Sequence, residues 1–113
     1  MVWEIEHTDE FEKWLLAEGP KVQEKIRAHV RLLADQGPNL RHPYSSGING
    51  SKHGAMRELR VQIKSDPYRV LYAFDPKRAA ILLLGGNKGG DDDWYDKNVP
   101  IADRLFDKHL RDL

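Results

Sequence analysis

The stretch from Met56 to Lys88 constrains this chain most. It alternates apolar and polar residues in short runs separated by turns, the period of two that a half-buried strand requires. In the first run Arg57, Leu59, Val61 and Ile63 face one way, and Glu58, Arg60, Gln62 and Lys64 the other. Ser65-Asp66-Pro67 makes a turn. Tyr68 to Phe74 is a second strand, with Tyr68, Val70, Tyr72 and Phe74 on one face and Arg69, Leu71 and Ala73 on the other. Asp75-Pro76-Lys77-Arg78 suits a type I turn, with proline at its second position. Ala79 to Leu84 is apolar throughout and reads as a central strand. Consecutive hairpins of this kind predict an antiparallel meander.

The flanking segments read as its covers. Val2 to Glu6 alternates as a short strand, with Trp3 and Ile5 on one side. Thr8 or Asp9 can cap a following helix, Asp9 and Glu12 having the spacing of a capping box. Phe11, Trp14 and Leu15 give that helix one apolar face, and Gly19-Pro20 ends it. Lys21 to Gln36 carries the clearest helical stripe, Val22, Ile26, Val30 and Leu33, and stops at Gly37-Pro38. The two helices predict an αα-hairpin lying on one face of the sheet. Asn39 to Gly54 has no periodicity and reads as a long loop. Gly85 to Asp93 reads as a flexible loop. Pro100 is suited to the first position of a last helix, whose apolar face is Ile101, Leu105, Phe106, Leu110 and Leu113. The expected fold is α+β, a single domain over residues 1–113.

Composition removes several chemistries. The absence of cysteine excludes disulfides, thiol nucleophiles and thiolate metal sites, and it fits a reducing cytosol. The N-terminus lacks the pattern of a signal peptide, and no apolar run approaches the roughly 20 residues that span a bilayer. A cytoplasmic protein with no membrane association is expected. Gly85-Gly86-Asn87-Lys88-Gly89-Gly90 has neither phosphate-loop nor dinucleotide-fold spacing. Asp91, Asp92 and Asp93 are adjacent acids that do not converge on a metal unaided. No metal and no cofactor are expected.

The net charge is zero but uneven. Met1 to Glu18 holds six acids and one base, Lys52 to Arg78 seven bases and three acids, and Asp91 to Leu113 seven acids and four bases. The basic part is therefore the meander, where a polyanion would bind.

The motifs MRELRV (56–61), PYRVLYAF (67–74), ILLLGGNKG (81–89) and DDDWYDKNVPIADRLFDKHL (91–110), in this order and spacing, resemble the RelE/HigB toxin superfamily, and within it the Gp49-like HigB branch. The resemblance implies a RelE-like fold and the toxin of a type II toxin–antitoxin pair. Such a toxin is a metal-independent endoribonuclease cutting mRNA, typically at the ribosome, and is neutralised by a helix-turn-helix antitoxin. Cleavage of this kind uses the 2′-hydroxyl as nucleophile. It needs cations around the scissile phosphate and groups that take and return protons.

By position in the motifs, Arg69 corresponds to the family's phosphate-binding arginine, Lys88 to its basic residue after the last strand, and Tyr95 to its stacking or proton-transferring aromatic. Arg60 and Lys64 share the polar face of the strand before that of Arg69. Glu58 is a general base or, by pairing with Arg60 or Arg69, an orienting group. His53 is preferred as a loop acid–base histidine over His7, His29, His42 and His109. Arg57, Lys52, Lys64 and Trp94 complete the expected RNA contacts. Arg69→Ala is expected to abolish toxicity without disturbing the fold. Two alternatives stand beside this reading. One is a ParE-like toxin that binds a protein target such as gyrase. The other, suggested by the neutral charge, is a weakly active partner in a repressor complex.

Overall fold

Arg57–Ile63 (β3), Asp66–Phe74 (β4) and Ala79–Asn87 (β5) form the expected meander in the computed structural model, which describes residues 2–113. Two further strands widen the sheet. Glu4–His7 (β1) pairs in parallel with β5, and Ser45–Gly47 (β2) pairs antiparallel with β3, giving the order β1-β5-β4-β3-β2. The central strand is therefore β4, with β5 interior beside it. Strand β2 lies inside the segment expected to be irregular. Its three residues, Ser-Ser-Gly, carry no apolar alternation. What holds it is the β3 ladder and a buried hydrogen bond between the Ser45 and Tyr72 hydroxyls at 2.6 Å.

Asp9–Leu16 (α1) and Pro20–Gln36 (α2) form the helical hairpin. Thr8 is the N-cap of α1, its hydroxyl accepting from the Phe11 amide at 3.0 Å and donating to the Leu83 carbonyl at 2.7 Å, so the cap also fastens the helix to β5. The hairpin buries Phe11, Leu15, Ile26 and Leu33 against Leu59, Val61, Val70 and Tyr72. Each such fully buried side chain contributes about 1.5–3 kcal/mol of transfer free energy.

The last helix, α3 (Trp94–Arg111), covers the other face of the sheet with Trp94, Val99, Ala102 and Phe106 against Met56, Leu71, Ala73, Ile81 and Leu83. It begins six residues before Pro100, which sits inside it rather than at its start. The missing proline N–H leaves the carbonyl of Asp96 without its helical partner, at an exposed position of the helix. Burial of Trp94 and Val99 outweighs the proline's preference for a first position.

The expected loop at Gly85 is also corrected. The β4–β5 register shifts between Leu71 and Tyr72, and β5 continues through Gly85 and Gly86 to Asn87. Added Cβ atoms there would lie 2.4 Å from the Trp14 ring and 2.7 Å from Trp94 Nε1. Glycine lets one indole lie on each face of the sheet.

Candidate nucleic-acid interface

The register of the meander brings two arginines face to face. Arg60 of β3 is paired across the ladder with Arg69 of β4, and Arg69 in turn lies beside Gly86 of β5. Like charges directly opposite each other repel. Glu58, two residues before Arg60 and hence on the same face, compensates them. Its side chain is 5% exposed. One oxygen, Oε2, accepts from Arg60 Nη1 at 3.0 Å and from the Ser46 hydroxyl at 2.8 Å. The other, Oε1, accepts from the Tyr95 hydroxyl at 2.5 Å and lies 3.5 Å from Arg69 Nε. Arg69 is itself 5% exposed, its Nη1 donating to the Tyr68 carbonyl at 2.9 Å.

Tyr95 stands at the start of α3 and closes the cluster from above. Its ring lies under the Lys88 ammonium, 5.8 Å from Nζ to centroid. Burial first, then the hydrogen bond and negative charge of Glu58, push the Tyr95 phenol above its usual 10, against the opposite pull of Arg69. Tyr95 is therefore a neutral O–H donor at neutral pH. Glu58 accepts on both oxygens, pairing with Arg60 and lying beside Arg69.

Two shallow concavities flank this centre. Gly47, Ile48, Asn49 and Gly50 with Glu58, Tyr95 and Asp96 line one; His42, Pro43, Arg60, Gln62 and Arg69 line the other. The expected polar side of the meander is thus split. Helix α3 covers most of it as core, and the charged cluster remains where the helix begins.

The other expected residues fall elsewhere. Trp94 is buried in the core between α3 and the sheet. Arg57 lies on the opposite face of the sheet, as its alternation required, with Nε donating to Ser45 Oγ at 3.1 Å. Lys64 is exposed in the β3–β4 turn. His53 and Lys52 are held on α3: His53 Nε2 lies 2.7 Å and Lys52 Nζ 2.5 Å from the carboxylate of Asp107. Tyr95 and Asp107 are twelve positions apart on α3, about 18 Å at 1.5 Å per residue, so His53 is not brought to the arginine cluster.

Sequence reasoning missed Ser46 and Asp103. Asp103 is buried on α3 and accepts from the Ser51 hydroxyl at 2.5 Å and the Lys52 amide at 3.1 Å. With Asp107 it pins the loop whose first residues, Ile48 to Gly50, wall the cleft. An aspartate eight residues after Tyr95, on a helix with an apolar stripe, was the available signal, but nothing local indicates its partner.

Comparison with known proteins agrees with this architecture. Residues 13–107 match the family Phage derived protein Gp49-like. The chain is 42% identical over 100 residues to the toxin relative HigB3 of Mycobacterium tuberculosis, covering 88% of this chain and 86% of that one. It is 40% identical to HigB2 of the same organism, spanning 86% of this chain but only 49% of that relative. This chain belongs to the RelE/HigB toxin family, in its Gp49-like branch. The fold is that of solved RelE structures. A double arginine-to-alanine mutant of the E. coli RelE toxin, in its free state, superposes with a TM-score of 0.59 at 10% identity, covering 100% of this chain and 99% of that one. The toxin–antitoxin complex RelBE2 of M. tuberculosis gives 0.58 at 12% identity, covering 77% and 99%. The archaeal RelE–RelB complex of Pyrococcus horikoshii gives 0.58 at 17% identity, covering 80% and 99%. Among the described residues no helix is long and apolar enough to cross a membrane.

Proposed function

We propose that this HigB/RelE-type toxin is a metal-independent endoribonuclease that cleaves mRNA. The observation that carries this reading is the opposed pair Arg60 and Arg69, held by one buried glutamate beside Lys88 and Tyr95. Arg60, Arg69 and Lys88 outnumber the carboxylates of Glu58 and neighbouring Asp96, leaving a local positive charge suited to a scissile phosphate. Arginine forks supply fixed donors to the oxygens that gain charge as the 2′-hydroxyl attacks. Glu58 orients the forks; as RNA enters, the Tyr95 phenol turns from Glu58 Oε1 to the leaving 5′ oxygen and protonates it, while the proton of the attacking 2′-hydroxyl passes to bulk water. The chain acts in the cytoplasm, on mRNA at the ribosome. Its partner is a helix-turn-helix antitoxin; the RelBE2 and RelE–RelB neighbours, solved as toxin–antitoxin complexes, support an antitoxin of some kind.

The test is induced expression in cells, wild type beside Arg60→Ala, with growth and primer extension on a reporter mRNA. Arrest with new mRNA ends, both lost in the variant, is expected. Arrest without new ends would move the assignment to a protein-binding toxin of the gyrase type. Absence of arrest would move it to a repressor partner.

A further inference from the structure

At the far end of α3, three potential ligands from three elements converge. Glu6 comes from β1, Asp75 from the end of β4 and His109 from α3; one donor atom of each lies within 4.8 Å of the others. We propose that these residues bind a first-row divalent transition metal of the zinc class, which fastens α3 to the edge of the sheet.

Two of the ligands are preset. The Asp75 side chain is fully buried, and its Oδ1 accepts from the Lys77 and Ala79 amides at 2.9 and 3.0 Å. These bonds fix the carboxylate plane and direct Oδ2 at His109 Nε2, 2.7 Å away. The His109 ring stacks on Phe106 at 12° between planes, which fixes its orientation. Backbone donors to a ligating carboxylate and a locked imidazole are the outer supports that metal sites use.

The third ligand is exposed. Glu6 is exposed, and among the described residues its carboxylate makes no ion pair. Two carboxylates this close repel unless a cation lies between them. One imidazole nitrogen with two carboxylate oxygens is a donor set that suits zinc and its neighbours. Donors bound at roughly 2.0–2.2 Å lie at most about 4.4 Å apart, so a small swing of Glu6 completes the set. A concavity lined by Thr8, Lys108, His109 and Asp112 borders the cluster on the His109 side.

Tyr95 and His109 are fourteen positions apart, about 21 Å along α3, so the metal has no part in the chemistry proposed for the arginine cluster. Its role is to hold the C-terminal turn of α3 against the sheet.

The test uses the full chain, stripped with a chelator and titrated with Zn²⁺ by calorimetry, with thermal melts alongside. Wild type is expected to take up one Zn²⁺ per chain and to melt at higher temperature with it. Glu6→Gln, an exposed change that leaves the fold alone, and His109→Gln should each weaken uptake by at least about tenfold. His29→Gln, at a histidine remote from the cluster, should leave it unchanged. No one-to-one uptake by wild type, unchanged affinity in Glu6→Gln, or equal loss in His29→Gln would each overturn the proposal. If His109→Gln does not fold, Glu6→Gln still decides.

Discussion

Arg69 Nε lies 3.5 Å from Glu58 Oε1, and both side chains are buried, at 6% and 5% exposure. The atom makes no hydrogen bond among the described residues. The pair is an electrostatic contact in a poorly solvated place, and each charge depends on the other for compensation. Removing one partner of such a pair is costly, whatever the pair's net contribution.

The expectation that Arg69→Ala leaves the fold undisturbed therefore needs revision. The variant should lose about 3 kcal/mol, because Glu58 stays buried with Arg60 as its one remaining arginine. Adding Glu58→Gln should recover a large part of that loss while leaving mRNA cleavage absent. Urea unfolding of the single and double variants, beside primer extension, separates the two effects. A double variant that cleaves normally would remove Arg69 from the chemistry.

Arg60 offers the cleaner probe of function. Its side chain is 33% exposed, so Arg60→Ala should change stability by no more than about 1 kcal/mol. Cleavage should fall by about a hundredfold, the usual effect of losing one preorganised donor to developing charge. Single-turnover cleavage of an mRNA loaded on ribosomes measures it.

Tyr95→Phe deletes the hydrogen bond to Glu58 and should cost about 1–2 kcal/mol. The phenol's pKa is raised in the folded state, above 10. Its contribution is therefore complete below pH 10 and fades as pH rises past that value. The stability difference between wild type and Tyr95→Phe should be constant from pH 6 to 9 and shrink above 10. A difference already shrinking near pH 8 would contradict the burial and Glu58 contact described above.

Asp107 is expected to tie the cleft wall to pH. The hydrogen bond from Lys52, then that from His53, holds its carboxyl below the usual 3.8. A depressed carboxylate stabilises the fold above that value and loses its effect as pH falls below it. The melting temperature of wild type should exceed that of Asp107→Asn at pH 6, and the gap should close toward pH 3. A gap independent of pH would mean that the loop is held by other contacts.

Asp103→Ala should act on the same wall more strongly, at about 2 kcal/mol, since it leaves the Ser51 hydroxyl and Lys52 amide without their acceptor. Limited proteolysis should then cut between residues 48 and 54 while the sheet stays protected. Protection equal to wild type would show that Asp103 does not hold the loop.

Much of this architecture is determined by the sequence alone, because period-two and helical spacings are local properties. The meander, the faces of β3 and β4 and the helical hairpin follow from residues within a few positions of each other. So does the placing of Glu58, Arg60 and Arg69 on one side of the sheet. The cap of α1 is open between Thr8 and Asp9 in the sequence, and the structure places it at Thr8. What only the tertiary structure decides are relations across the chain. The β3–β4 register sets Arg60 opposite Arg69; β2 exists because β3 offers it a ladder; Trp94 is core because Gly86 makes room for it. His53 and Lys52 belong to α3 because Asp107, more than fifty residues later, meets them there. Pairing energies of this kind depend on which distant residue is brought near, and no local pattern of side chains encodes that.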